Sequence, residues 1–327
     1  MDKLIADFPQ NITDALKIAA EFKLKNNPDE IRNIVICGMG GSGIGGKIFA
    51  QWVQDEISLP IQICQDYTLP RFVDKFTLVI GSSYSGNTEE TITAVKEAKE
   101  KGAQIIGICS GGQLKDFCEE NNYDYIIVPG GNPPRSALAF SVVQLINIFV
   151  QLGLIDFKFL KQLESARDLI ISENSFIKKE AIELAHFLKG KVGVFYSETK
   201  YESIIIRARQ QFNENSKLLC WHHVIPEMNH NELVGWGGGD NRFAAVFFDT
   251  KDLNPRNNKR LEITISDVRK KTENVRIISS KGENQIERSI YLTHLVDWSS
   301  FYLSELNEVD VMDIKVIDFL KDALSKF

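Results

Sequence analysis

Two short stretches place glycines and hydroxyls where a phosphate could be held. Gly38-Met39-Gly40-Gly41-Ser42-Gly43 follows an apolar β-branched run and leads into a helical pattern at Ile44. It satisfies the G-x-G-x-x-G spacing of a dinucleotide fingerprint, and Asp66 stands about where a ribose-binding carboxylate is expected, so a nicotinamide dehydrogenase is one reading. The second stretch, Ser82-Ser83-Tyr84-Ser85-Gly86-Asn87-Thr88, feeds a helix beginning Glu89-Glu90-Thr91. Ser83, Ser85 and Thr88 then surround a helix N-terminus, whose free N–H groups and partial positive charge suit a phosphate monoester without a lysine. Either loop alone reads equally well as a polar turn with a capping residue. Together, at the ends of strands 1 and 3 of a parallel sheet, they can face one crevice and favour a bound phosphate. Ser42 fails as a nucleophile, because Gly40-Gly41-Ser42-Gly43-Ile44 lacks the closing glycine of G-x-S-x-G.

The elements that must position these loops are legible in the pattern. Short β-branched runs, each followed by a helical pattern, recur at Ile34–Gly38, Ile61–Gln65, Leu78–Ser82, Gln104–Cys109 and Tyr125–Val128. This alternation predicts an α/β fold with helices on both faces of a parallel sheet. After a helical middle the rhythm restarts at Val192–Ser197, Ala244–Asp249 and Val275–Ser279, so a second α/β domain is expected. The boundary is drawn near Asp156, giving domains 1–155 and 156–327.

A chain of 327 residues, 43% hydrophobic and 25% charged, can build two ordinary cores. Its net charge of -6 argues against nucleic acid or an acidic membrane surface as a partner. The apolar stretch from Ser136 to Ile155 is interrupted by Ser141, Gln144, Asn147 and Gln151 about once per helical turn, and reads as a buried helix rather than a membrane span. The N-terminus has no secretory pattern, and the five scattered cysteines read as reduced structural thiols, so a cytoplasmic location is expected.

Further segments carry a resemblance. GMGGSGIGG (38–46), SYSGNTEET (83–91), NPPRSALAFS (132–141), FNENSK (212–217), PEMNHNELVGW (226–236) and DFLKDAL (318–324) cover nearly the whole chain, and in this order they resemble the bifunctional phosphoglucose/phosphomannose isomerases of the sugar-isomerase (SIS) superfamily. The GGSG and SGNT segments indicate only a sugar-phosphate-binding fold, whereas NENSK and NHNE are far more specific. The resemblance implies two SIS domains, each a flavodoxin-like three-layer sandwich with a parallel sheet, in a homodimer with active sites near the subunit interface. It also implies interconversion of glucose 6-phosphate or mannose 6-phosphate with fructose 6-phosphate through a cis-enediol, with no cofactor. The phosphate-binding positions match Gly41, Ser42, Ser83, Ser85 and Thr88. The arginine matches Arg135, the base Glu214, the ring-opening histidine His230 and the C-terminal lysine Lys321. One departure is visible: Val311 stands where a proline is expected after Asp310.

The implied chemistry suits these residue types. Moving a proton between C2 and C1 needs a base, for which a partly buried Glu214 serves, and charge stabilisation on the oxygens, for which the planar fork of Arg135 serves. Taken singly, Glu214 would read as a solvated helix residue and Arg135 as a loop salt bridge. Asn132-Pro133-Pro134 should fix Arg135 just before a helix spanning Ser136–Gln151. Ring opening needs an acid and base near neutrality, and His230 lies in a polar, aperiodic segment that reads as a functional loop; His186 and His294 read as structural. His222, His223, Glu227 and His230 crowd together, but their spacing matches no zinc ligand set, so no metal is expected. The competing readings are a non-catalytic sugar-phosphate-binding SIS regulator and the dehydrogenase. A regulator would ordinarily carry a DNA-binding module, for which the residues before Ile34 leave no room.

Overall fold

The computed structural model describes residues 1–26, 30–324 and 326. The chain divides into two compact units: an N-terminal one of Ala6–Ile171 with Glu283–Glu287, and a C-terminal one of Met1–Ile5, Ser172–Gly282 and Arg288–Phe327. In chain order the elements begin α1 (Asp2–Ala6), α2 (Phe8–Glu21), β1 (Asn33–Cys37), α3 (Gly40–Val53), β2 (Ile61–Cys64), β3 (Thr77–Ser82), α4 (Glu89–Glu100), β4 (Gln104–Cys109), α5 (Gly112–Glu120), β5 (Asp124–Ile127), α6 (Leu138–Gln151) and α7 (Lys158–Ser172). They continue α8 (Asn174–Leu188), β6 (Val192–Glu198), α9 (Glu202–Ser216), β7 (Trp221–Ile225), α10 (Glu232–Gly235), β8 (Phe243–Asp249), α11 (Pro255–Val268), β9 (Val275–Ser279), α12 (Gln285–Leu306) and α13 (Lys315–Leu324).

The N-terminal sheet has five parallel strands in the order β2-β1-β3-β4-β5. Its central runs, Ile34–Cys37 and Thr77–Ser82, are buried without alternation, as expected for strands covered on both faces. After β2 the chain crosses to the other side of β1, so the strand order reverses between β1 and β3, where α/β sheets open a crevice beyond their C-terminal ends. The C-terminal sheet, β7-β6-β8-β9, is also parallel and reverses in the same way between β6 and β8.

Helix α6 is buried from Leu138 to Phe149, and its amides explain the polar interruptions. Gln144 Nε2 donates to the Ala15 carbonyl at 2.8 Å, and Gln151 Nε2 donates to Asn147 Oδ1 at 3.0 Å. These bonds stay within the unit, as in a protein core, although among the described residues Gln144 Oε1 and Asn147 Nδ2 are left without a hydrogen-bond partner. Among the described residues no helix is long and apolar enough to cross a membrane.

Several features differ from the sequence expectation. Strand β7 was not expected, because it is an edge strand in which only Val224 and Ile225 are buried, so Trp221-His222-His223 shows no apolar run. Helix α3 starts at Gly40, before Ile44, making the glycine-rich loop its first turn. The compact units part between Ile171 and Ser172, so α7 lies almost wholly in the N-terminal unit rather than the domain 156–327 expected to contain it. Its buried stripe Phe159, Leu163, Ala166 and Ile170 packs there, with Lys158 bonded to Glu56 at 2.5 Å and Ser165 to Glu287 at 2.6 Å.

Candidate active site

Beyond the C-terminal ends of β1 and β3 the two hydroxyl loops meet. The Tyr84 backbone N–H donates to Ser42 Oγ at 3.1 Å, and Ser83 Oγ donates to Thr88 Oγ1 at 2.9 Å. The Asn87 N–H donates to Ser85 Oγ at 3.2 Å. Ser42 and Ser83 are buried, Thr88 is half-buried and Ser85 is exposed, so the hydroxyls grade from crevice floor to solvent. Neither α3 nor α4 has a side-chain N-cap bond, so their leading N–H groups have no capping side chain in front of them.

A third loop joins these two. A Cβ on Gly41 would lie 2.6 Å from the Pro134 carbonyl oxygen, an approach that only glycine allows. The Asn132 N–H donates to Tyr84 Oη at 3.3 Å. Arg135 follows in a 3-10 turn, Pro134–Ser136, ahead of α6, and is only 5% exposed. Helix α6 therefore begins at Leu138, slightly later than the Ser136 expected. A cavity of about 10 Å³ lies between Gly41, Ser42, Tyr84 and Pro134, about the size of one water, so the loops are packed against one another. The N-terminal unit thus gathers Gly41, Ser42, Ser83, Ser85, Thr88 and Arg135. Tyr84, which joins all three loops, was not singled out from sequence. Its signal there is faint, an aromatic among hydroxyls in a turn.

Glu214, His230 and Lys321 belong to the C-terminal unit. Glu214 sits half-buried in the last turn of α9. That helix ends at Lys217 in the left-handed region, φ 53°, and Lys217 Nζ donates to the Glu214 and Asp313 carbonyls, the latter at 2.8 Å.

His230 is exposed at the end of a 3-10 turn, Glu227–His230, that follows the cis Ile225–Pro226 peptide. Its segment is tied on both sides. Met228 is fully buried, Asn229 Nδ2 donates to Thr264 Oγ1 at 2.7 Å, and Asn231 Nδ2 donates to Glu227 at 2.8 Å. Two residues on, the Glu232 carboxylate accepts from the Tyr196 hydroxyl and from Trp221 Nε1, and Trp236 Nε1 donates to Tyr196 Oη at 2.9 Å. Burial and the Glu232 carboxylate push the Tyr196 hydroxyl far above its ordinary range, keeping it a proton donor.

Lys321 lies exposed on α13, a helix with no buried residue. The neighbouring histidines have other partners: His223 Nδ1 accepts from the Val224 N–H at 2.8 Å. Among the described residues no three His, Cys, Asp or Glu side chains are grouped to hold a metal. His294 is buried on α12, accepts from Trp298 Nε1 at 3.2 Å, and is pushed by burial down to about 3.

Comparison with known proteins agrees with this architecture. Residues 30–131 match the family described as SIS domain, and residues 177–324 match that described as Bacterial phospho-glucose isomerase C-terminal SIS domain. The solved C-terminal domain of glucosamine-fructose-6-phosphate aminotransferase from Francisella tularensis superposes with a TM-score of 0.76 at 16% identity, covering 94% of this chain and 96% of that one, a likeness of fold. The Bifunctional phosphoglucose/phosphomannose isomerase of Caldicellulosiruptor bescii is 36% identical over 100% of this chain and 99% of its own length. Its namesake in Thermoplasma acidophilum is 36% identical over 90% of each chain. With a SIS-domain family matched in each half and relatives 36% identical aligned over 90% or more of the chain, it belongs to the bifunctional phosphoglucose/phosphomannose isomerase family.

Proposed function

We propose that the protein interconverts glucose 6-phosphate and mannose 6-phosphate with fructose 6-phosphate through a cis-enediol. The observation that carries this reading is the convergence of three loops in the N-terminal unit, where Ser42 meets Tyr84 and Gly41 meets Pro134 beside the buried Arg135. Hydroxyls and a fixed guanidinium at a switch point form a seat for a phosphorylated polyol. The naming of the full-length relatives supports the substrate class.

In this mechanism Ser42, Ser83, Ser85, Thr88 and the Gly41 backbone hold the phosphate. His230 moves a proton between the ring oxygen and the C1 hydroxyl to open the ring. Glu214 takes the proton from C2 and returns it to C1, while Arg135 stabilises the charge that develops on the two oxygens. Lys321 is the fourth catalytic group. Glucose and mannose phosphates differ only at C2, whose stereochemistry the enediol erases, so one base serves both. No cofactor takes part.

We assign a homodimer, supported by α13, where Val316 is 83% and Phe319 73% exposed on an amphipathic helix that needs a partner surface. Five buried free cysteines support a reducing, cytoplasmic setting.

The test is to incubate EDTA-treated protein with fructose 6-phosphate and measure glucose 6-phosphate and mannose 6-phosphate separately. Both products are expected. Neither product, with sugar-phosphate binding retained, would move the assignment to a regulator, and saturable NADPH binding by fluorescence titration would move it to a dehydrogenase.

A further inference from the structure

Helix α9 is fastened to α12 by polar bonds in a place where an apolar interface would ordinarily serve. Arg207 Nε and Nη2 donate to the two oxygens of Asp297 at 3.1 and 2.6 Å, a bidentate pair with the residues only 2% and 4% exposed. One turn later Gln211 Nε2 donates to the same carboxylate at 2.7 Å. A turn further on, Asn215 Nδ2 donates to Ser300 Oγ at 2.9 Å and Ser216 Oγ donates to the Ser300 carbonyl at 2.6 Å. The Asn307 amide donates to the Ser216 carbonyl at 3.0 Å.

Buried ion pairs are poor sources of stability, because desolvation of both charges offsets most of their attraction. What directional bonds supply that apolar contact cannot is register. Gln211 and Arg207 share one carboxylate from successive turns, so α9 can neither rotate nor slide along α12 without breaking one of them. Glu214 lies three residues after Gln211 and one before Asn215, between the two fastenings. A base that must reach a carbon-bound proton tolerates displacement of only a fraction of an ångström.

We propose that the Asp297 carboxylate, with Arg207 and Gln211, is a positioning device that fixes the register of α9 and so the reach of the Glu214 carboxylate. The inference rests on Glu214 being the base. None of the three is a catalytic residue; each acts through the helix.

The test variant is Gln211→Met, which removes one donor to Asp297 and leaves the ion pair intact, so folding is retained even if Asp297→Asn does not fold. With fructose 6-phosphate, kcat is expected to fall about ten- to hundredfold at an unchanged KM. Glucose 6-phosphate deuterated at C2 supplies a readout that lowered stability would not move. A displaced carboxylate loses more of the label to solvent before returning it to C1, so the fraction transferred to C1 should drop. Parent kcat and parent label transfer in Gln211→Met, or a fall in activity that merely tracks the melted fraction with label transfer unchanged, would overturn the proposal. Glu214→Gln, measured alongside, separates the two levels: full activity there removes the base assignment itself, whereas an inactive Glu214→Gln beside an unaffected Gln211→Met removes only the positioning role.

Discussion

The residues that matter most differ in how their surroundings constrain them. Arg135 and Ser42 are held among three packed loops, whereas His230 stands exposed on a segment whose neighbours Met228, Asn229 and Glu232 are all tied down. In the sequence their roles came from the resemblance: by residue type alone the hydroxyls fit capped turns and Arg135 a loop salt bridge, and only His230, outside any apolar periodicity, pointed to a functional loop. Tyr84 was not legible, since its role comes from a contact with Asn132, 48 residues away. His294 was read as structural, and its burial has a measurable consequence. Its folded value of about 3 lies below the ordinary 6.5, so between those values the unfolded chain binds the extra proton and stability falls as pH falls. From pH 7 to pH 5 the loss from this one group is about 2 kcal/mol. Urea midpoints of the parent and His294→Asn at both pH values check it: the parent should lose more stability than the variant by that amount, and equal losses would contradict it.

At the scale of elements, the central strands β1, β3 and β4 were legible because they are covered on both faces and so are nearly pure apolar runs, while the edge strands β2 and β5 still kept short β-branched runs. The edge strand β7 was not, because one-sided exposure admits Trp221 and two histidines and hides the pattern. The turn between β3 and α4 shows how tightly an element end can be specified. Gly86 has φ +71°, and a Cβ there would fall 1.7 Å from the Gly111 carbonyl oxygen. Gly86→Ala should therefore cost on the order of 2–3 kcal/mol and displace Ser85 and Thr88. Thermal melting should show a lower Tm and steady-state kinetics a raised KM for fructose 6-phosphate; an unchanged KM would mean that this loop does not hold the phosphate.

For the whole molecule, the recurrence of one strand order in both sheets was only weakly suggested by sequence, since topology depends on which side of the sheet each crossover returns to. The compact units part between Ile171 and Ser172, after the boundary drawn near Asp156; no Pro/Gly/Ser linker marks either place, and α7 is amphipathic enough to fit either unit. Helix α13 carries the oligomer prediction. If a second copy covers its apolar face, Phe319→Asp should shift the protein from dimer to monomer in sedimentation velocity, and an unshifted dimer would place the interface elsewhere.

The allocation of chain to the two units limits how the protein can be divided. Residues 1–5 belong with the C-terminal unit and 283–287 with the N-terminal one, so each unit owns a segment lying on the far side of the other in sequence. A fragment ending at Ile171 would lack Glu287, the carboxylate that accepts from Ser165 on α7 and from Asn284 Nδ2 at 2.7 Å. Neither half can therefore be excised by a single cut and retain all its own contacts. Gene fragments split at that point are expected to be useful only when co-expressed, and a ribosome must reach the first turn of α12 before the first half of its product is whole.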